Sequence, residues 1–153
     1  MRKRILFIFT ALTLVAAMIV PSMALAGAQI QDDGSGTVSL DSEGDAPEQA
    51  NGTAKFDLDT NDDGWHKVRM KLKVSNLPER AGQVFETWLR DSEADFDNPV
   101  GAFQTDNDGD GGFTVSWRSN FFAPFDEILV TSEERNDTNP KRNGEILLRG
   151  SLE

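Results

Sequence analysis

The sequence predicts an all-β fold, an antiparallel two-sheet β-sandwich of about seven or eight strands that follows an N-terminal export signal. Apolar residues recur at every second position in short runs after Gly52, which is the period of a strand with one buried face. Turn-forming residues separate the runs, and no stretch of the mature chain has the spacing of an amphipathic helix. The 153 residues include no cysteine, so one hydrophobic core must stabilise the domain without disulfides.

The clearest strand is "HKVRMKLKV", in which apolar residues alternate with cations. Its apolar side consists of Val68, Met70, Leu72 and Val74, and its solvent-facing side of Lys67, Arg69, Lys71 and Lys73. The same alternation marks "TAKFDLD" and "GFTVSWR", and further strands are expected at "QVFETWLR", "PVGAFQT", "DEILVTSE" and "EILLRGSL". The predicted core is Phe56, Val68, Met70, Leu72, Trp88, Phe103, Phe113, Val115, Trp117, Ile128, Val130 and Leu148. Trp65, at a turn, is expected to be more exposed than Trp88 and Trp117.

The N-terminus has the pattern of an export signal, because "MRKR" precedes the apolar run "ILFIFTALTLVAAMIV" and the small-residue motif "ALA". We expect cleavage after Ala26, and an uncleaved signal that anchors the chain is the alternative. Residues 27–52 are expected to form a flexible acidic leader with one weak strand at "TVSL", and residues 53–153 the β-sandwich. No later segment is apolar enough to span a bilayer.

The chain is acidic, with a formal net charge of −11. Removal of the signal takes away three basic residues and no acidic one, so the mature protein is more acidic still. Nucleic acid and anionic lipid need basic surfaces, and the overall charge argues against both as partners. The expected partner is a protein or a ligand of the cell envelope.

Two acidic loops partly match the pattern of a calcium-binding loop. "TDNDGDGG" spaces Asp106, Asp108 and Asp110 like the first half of a calcium loop, and "DTNDDG" does so more faintly with Asp59, Asn61 and Asp63. The closing glutamate is missing, since the twelfth positions are Trp117 and Met70. If strand direction alternates, these two loops lie at opposite ends of the fold.

A third acidic loop, "DSEADFDN", falls by the same counting at the end that carries "DTNDDG". It supplies Asp91, Glu93, Asp95 and Asp97, so a calcium ion held by two loops would bind at that end. The favoured interpretation of all three loops is turn formation and solvation, with no metal and no cofactor, because Asn, Asp and Gly suit hairpin turns.

Catalytic chemistry is not indicated. His66, the only histidine, starts a strand without a second His or a Cys to complete a metal or nucleophilic set. The triplets at Asn51 and Asn136 fit the pattern of N-glycosylation acceptors. The sequence therefore favours a non-catalytic binding or sensory module.

The segment from Leu77 to Leu152 resembles the extracytoplasmic domain of anti-sigma-K-type regulators. "NLPERAGQVFETWL" resembles that family's Leu-Pro, Gly, aromatic and Trp-Leu pattern, and "PVGAFQTDNDGDGGF" its Gly-x-Phe strand with an Asp/Gly turn. "ILVTSEERNDTNPKRNGEILLRG" resembles its Val-Thr-x-Glu strand, Pro/Gly loop and closing Gly. The resemblance implies a small extracytoplasmic β-sandwich. Because only "MRKR" precedes the apolar run, direct inhibition of a sigma factor is not expected.

A second resemblance covers "GTAKFDLDTNDDGWHKVRMKLKVSNLPE", which is similar to the opening strands of CHRD-type secreted domains. Those domains continue with a His-x-His strand, whereas "FETWL" stands here, so no metal role follows from the resemblance. A calcium-stabilised structural or adhesive domain, or a CHRD-like secreted domain, is the alternative to a binding module.

Overall fold

A computed structural model describes residues 35–60, 65–119, 125–137 and 141–152. Eight strands lie in these ranges. They are β1 (Ser35–Ser42), β2 (Asn51–Thr60), β3 (His66–Ser75), β4 (Gln83–Asp91), β5 (Phe96–Phe103), β6 (Gly111–Ser119), β7 (Glu127–Glu134) and β8 (Glu145–Ser151). All the strand pairs are antiparallel. The predicted all-β class and the strand positions after Gly52 are confirmed.

The strands form one continuous sheet in the order β5-β4-β7-β8-β1-β2-β3-β6. The two terminal strands of this order, β5 and β6, approach each other, so the sheet is nearly closed into a barrel. At this seam the rings of Phe103 and Phe113 have centroids 6.0 Å apart, and a single bridge pairs Thr105 with Gly111.

The hydrogen bonding differs from the two separate sheets that the sequence predicts. Strand β1 pairs with β2 along seven residues and with β8 through Asp41↔Arg149 and Ser42↔Leu148. This short junction joins two four-stranded halves into one sheet. The junction depends on residues more than 100 positions apart, and the alternation within each strand does not encode that contact.

The interior contains most of the predicted core. Phe56, Val68, Met70, Leu72 and Leu148 have almost no exposed surface, because successive strand residues point to opposite faces. Phe103, Ile128 and Val130 are also buried in this cluster.

Strand β6 departs from the prediction. Its inward residues Phe113, Val115 and Trp117 are only partly buried against the core. The cause is the position of β6 at the end of the strand order, where β3 is its only continuous hydrogen-bonded neighbour among the described strands. The expectation that Trp117 is fully buried is therefore wrong, whereas Trp65 is 42% exposed as predicted.

Trp88 is buried, but not where the prediction placed it. It is 1% exposed and is not a member of the interior cluster, whereas its neighbour Leu89 is. Trp88 therefore lies on the outer face of β4, opposite Leu129 of β7. Arg142, which precedes β8, reaches over this outer face, since its Nε is 2.9 Å from Asp97 Oδ2 on β5.

The strand expected at "TVSL" is present as β1, with Val38 and Leu40 buried. Residues 35–42 therefore belong to the sheet, and residues 43–50 connect them to β2. The predicted signal, residues 1–26, and residues 27–34 lie outside the described part of the chain. Within the described ranges no helix is long and apolar enough to cross a bilayer.

Candidate binding surface

The outer face of β3 carries a row of exposed cations, as its alternation predicts. Lys67, Arg69, Lys71 and Lys73 are all exposed while the residues between them are buried. We call these four residues the basic stripe. Successive side chains on one face of a strand lie about 6.6–6.8 Å apart, so the stripe extends over about 20 Å.

The residues that lie opposite the stripe on the neighbouring strands differ in charge between its two ends. At the β3 start, Lys67 lies between Asp59 on β2 and Arg118 on β6, and Arg69 lies opposite Asp57 on β2. At the other end, Lys71 lies opposite Lys55, a like charge. Like charges directly opposite each other destabilise a sheet. Positive charge is therefore concentrated at the end of the stripe that carries Lys71 and Lys73.

Lys73 adds to this concentration. Its ladder neighbours are Thr53 on β2 and Gly112 on β6, neither of which is charged. Lys55 reaches Asp57 at 3.6 Å, but both side chains are more than half exposed, and such pairs contribute about 0–1 kcal/mol.

Within the described ranges, no hydrogen bond or ion pair engages the charged groups of the stripe. The arginines on the other side of the molecule differ. Arg80, Arg90, Arg142 and Arg149 each contact a carboxylate at 3.0 Å or less. In the part of the chain that the structure describes, the stripe thus places four cations without a carboxylate partner in one row, and Arg135 is an exposed cation elsewhere.

A shallow hollow lies on the same face between β3 and β6, with a volume of about 390 Å³. Its lining residues are Lys71, Leu72, Lys73, Gly111, Gly112, Phe113 and Thr114. Gly112 adopts a φ of 145°, and a Cβ there would lie 2.2 Å from the carbonyl oxygen of Leu72. We call this feature the β3–β6 hollow. Its cations were expected to be solvated and the hollow was not predicted; its sequence signal is the pair "GG", of which Gly112 lies opposite Lys73.

A second polar cluster lies on the outer face of β4 and β7. Trp88 Nε1 donates to Thr131 Oγ1 at 2.9 Å, and Thr131 donates to Glu133 Oε1 at 2.7 Å. Glu133 is 4% exposed, and its Oε2 has no hydrogen-bond partner in the described chain. Burial, and then the charges of Glu133 and Asp137, raise the pKa of Glu86 beside it. Trp88, Thr131 and Glu133 thus form one hydrogen-bonded chain, which holds β4 against β7.

Two carboxylates of the acidic segment between β4 and β5 are paired with arginines. Asp97 accepts from Arg90 Nη1 at 2.9 Å and contacts Arg142, and Asp95 contacts Arg90 at 2.8 Å. The carboxylate of Asp91 accepts from the backbone of Ala94. Glu93 is exposed. The sheet topology does place this loop at the same end as the β2–β3 loop, as the counting of strands predicts.

Of the β2–β3 candidates, Asp59 is exposed at the end of β2, and Asn61 and Asp63 lie outside the described residues. His66 begins β3 opposite Ser119. Across the described ranges, no three His, Asp or Glu side chains are grouped so that they could hold a metal ion.

The loop between β5 and β6 lies at the opposite end of the sheet and is a tight turn. Asp106 Oδ1 accepts from the backbone N–H groups of Asp108 and Asp110, both at 3.0 Å. Gly109 adopts a φ of 82°, and its carbonyl accepts from Leu77 N–H at 3.0 Å. The side chain of Asp106 therefore stabilises the turn as an Asx motif.

Changing Asp106, Asp108 and Asp110 together to Asn should leave the fold intact. Asn keeps the Oδ1 acceptor that the turn requires, and the change relieves repulsion between like charges at low salt. We expect the free energy of unfolding to stay within about 0.5 kcal/mol, measured by urea denaturation. Calorimetric titration with calcium provides the second readout, and micromolar binding by the wild type that the variant loses would contradict the turn interpretation.

Neither a scan against protein-family models nor a search of curated proteins returned a match for this chain.

Proposed function

We propose that this protein is an exported, non-catalytic binding module that uses its basic stripe to hold an anionic component of the cell envelope. The observation that carries the proposal is the placement of Lys55 directly opposite Lys71, beside Lys73. This arrangement costs stability and has no compensating acid in the described chain at Lys71 or Lys73. An anionic ligand would supply the missing compensation.

Two further points support the proposal. The buried polar chain of Trp88, Thr131 and Glu133 holds strands together. None of these three residues lines the surface hollow beside Arg80 or the one beside Arg90. The export signal and the resemblance to the outer domain of anti-sigma-K-type regulators favour an extracytoplasmic location. In this proposal the two four-stranded halves correspond to the two layers of that family's β-sandwich.

Retention on a cation-exchange resin tests the proposal. At an ionic strength of about 0.1 M the Debye length is about 10 Å, so the resin interacts with charges close to the contact and not with the net charge. We expect the negatively charged wild type to be retained at neutral pH. The Lys71→Gln/Lys73→Gln variant should pass through the column.

The matched control is Arg135→Gln/Lys141→Gln, which removes two exposed cations outside the stripe. It changes the net charge by the same amount and should elute with the wild type. Passage of the wild type through the column, or equal loss of retention in both variants, would contradict the proposed function. Thermal unfolding of all three proteins checks that the substitutions leave the fold unchanged.

A further inference from the structure

Strand β6 has one edge that the sheet leaves partly unpaired. At the hairpin end β5 lies against this edge, since a Cβ on Gly101 would lie 2.7 Å from the Phe113 ring. Beyond Phe113, no residue of β5 pairs with β6 within the described ranges. The inward side chains of Val115 and Trp117 are only partly buried there. The seam between β5 and β6 is therefore open along the second half of β6.

The backbone groups that face this opening follow from the hairpin. The carbonyl of Asp110 accepts from the N–H of Asp106, on the side of β6 that faces β5. In an antiparallel ladder, the backbone groups of successive residues point alternately to the two sides of the strand. Those of Thr114, Ser116 and Arg118 therefore point away from β3, and none of the described strands pairs with them on that side. We call these three positions the open edge of β6.

The two strands at the seam differ in how their edges are protected. β5 carries Pro99, which has no N–H, and its ladder with β4 shifts register between Thr87 and Trp88. Prolines and bulges keep edge strands from pairing with other chains. β6 has no proline, and its register with β3 is continuous. An edge of this kind accepts an added strand, as in proteins that bind peptides by β-augmentation.

The outer face beside the open edge is cationic. Arg118 is exposed on β6, on the same face as Thr114 and Ser116. Behind them on β3, Arg69 lies opposite Ser116 and Lys71 lies opposite Thr114. Ser116 and Thr114 are small, so the long side chains of β3 can reach over them to a strand about 4.8 Å beyond β6. Acidic residues on the outer face of an added strand would therefore be stabilised.

The inner face beside the open edge is apolar, through Val115 and Trp117. An added strand would cover this surface with its inward residues, since side chains alternate between the two faces of a strand. A second copy of β6 does not fit, because it would bring another Arg118 and another basic stripe to the same outer face. The occupant that matches both faces alternates apolar with acidic residues.

We propose that the open edge of β6 binds an extended acidic segment of a partner protein, which joins the sheet as an additional strand. Its backbone would hydrogen-bond to the three positions of the open edge. Its apolar residues would cover Trp117, and its carboxylates would pair with Arg118 and the basic stripe, in charge-assisted hydrogen bonds that are stronger than neutral ones. This inference rests on the proposed function, since it names the class of anionic component that the basic face holds.

Calorimetric titration with a synthetic peptide of about eight residues, in which valine alternates with glutamate, tests the inference. All the strand pairs of the sheet are antiparallel. In the same arrangement the glutamates lie opposite the open edge, so their N–H groups face β6. N-methylation of the glutamates should therefore weaken binding at least about tenfold, whereas N-methylation of the valines should change it less than about threefold. Both methylated peptides keep the charge of the parent peptide.

Two protein variants test the same edge. Ser116→Pro removes one N–H of the open edge and is compatible with an edge strand, so it should keep the fold in thermal unfolding and bind the peptide at least about tenfold more weakly. Arg118→Gln/Lys71→Gln should weaken binding several-fold, through the loss of charge-assisted contacts. The matched control, Arg135→Gln/Lys141→Gln, should bind the peptide as the wild type does.

Hydrogen exchange measured by nuclear magnetic resonance locates the contact. The peptide should slow exchange at the N–H groups of Thr114, Ser116 and Arg118, which gain a hydrogen-bond partner. Exchange at Val115 and Trp117 should stay unchanged, because the alternation directs their backbone groups to β3.

Four results would overturn the inference: no binding at peptide concentrations up to about 1 mM, the two methylated peptides binding alike, Ser116→Pro binding as the wild type does, or slowed exchange only outside β6. If the wild type is retained on the cation-exchange resin and yet does not bind the peptide, the partner class is wrong and the proposed function stands. If the wild type is not retained on the resin, the proposed function itself fails.

Discussion

Trp88→Ala is expected to reduce the free energy of unfolding by about 3–5 kcal/mol, the usual cost of removing a large buried aromatic side chain. Trp88 is 1% exposed, and its indole N–H donates to Thr131. Truncation leaves a cavity at the outer face of β4 and removes the donor that binds Thr131. Urea denaturation followed by far-ultraviolet circular dichroism gives the value.

The other two tryptophans are controls for the same measurement. Trp65→Ala should change stability by no more than about 0.5 kcal/mol, because Trp65 is exposed at the start of β3. The loss of unfolding free energy for Trp117→Ala should fall between those for Trp65→Ala and Trp88→Ala, since Trp117 is only partly buried at the seam. A loss for Trp88→Ala below about 1 kcal/mol, or one no larger than that for Trp117→Ala, would show that the outer face of β4 is not covered as described.

Gly112→Val is expected to destabilise the fold by about 3 kcal/mol or more, from backbone strain and overpacking together. The φ of Gly112 is 145°, which lies outside the range that side chains allow. A Cβ there would also lie 2.2 Å from the carbonyl oxygen of Leu72, a backbone atom of the ladder between β3 and β6. Relief of this contact requires a local break in that ladder.

Gly82→Val separates the two contributions. Gly82 adopts a φ of 77°, and a Cβ added there would meet no atom within 4 Å. This variant therefore measures backbone strain without the steric contact, and we expect a loss of about 1–2 kcal/mol by urea denaturation. Equal losses for Gly112→Val and Gly82→Val would contradict the close approach of β6 to Leu72.

The strand pattern and the turns could be predicted because both are local. Side chains alternate along a strand, so the exposure of Lys71 and the burial of Leu72 follow from the sequence alone. The same reasoning identified the turn at Asp106, where short polar side chains hydrogen-bond to nearby backbone.

The candidate site could be predicted only in part. The cations of β3 were visible in the sequence, but the position of Lys55 opposite Lys71 depends on the register of β2 against β3. The acids of the β4–β5 loop looked available for calcium. Arg142 neutralises one of them, Asp97, across 45 positions of sequence, a contact that no local pattern reveals.

The sequence by itself determined that this protein is antiparallel β, which side chains of β2, β3 and β7 point inward, and that one strand presents a row of cations. These properties arise from period-two alternation and from turn chemistry, both of which act over a few residues. The tertiary structure alone decided that β1 and β8 join two halves into one nearly closed sheet, that Trp88 is buried on the outer face, and that Lys71 and Lys73 border a hollow. Each of these depends on strand order and register, which are set by burial of apolar surface between distant segments.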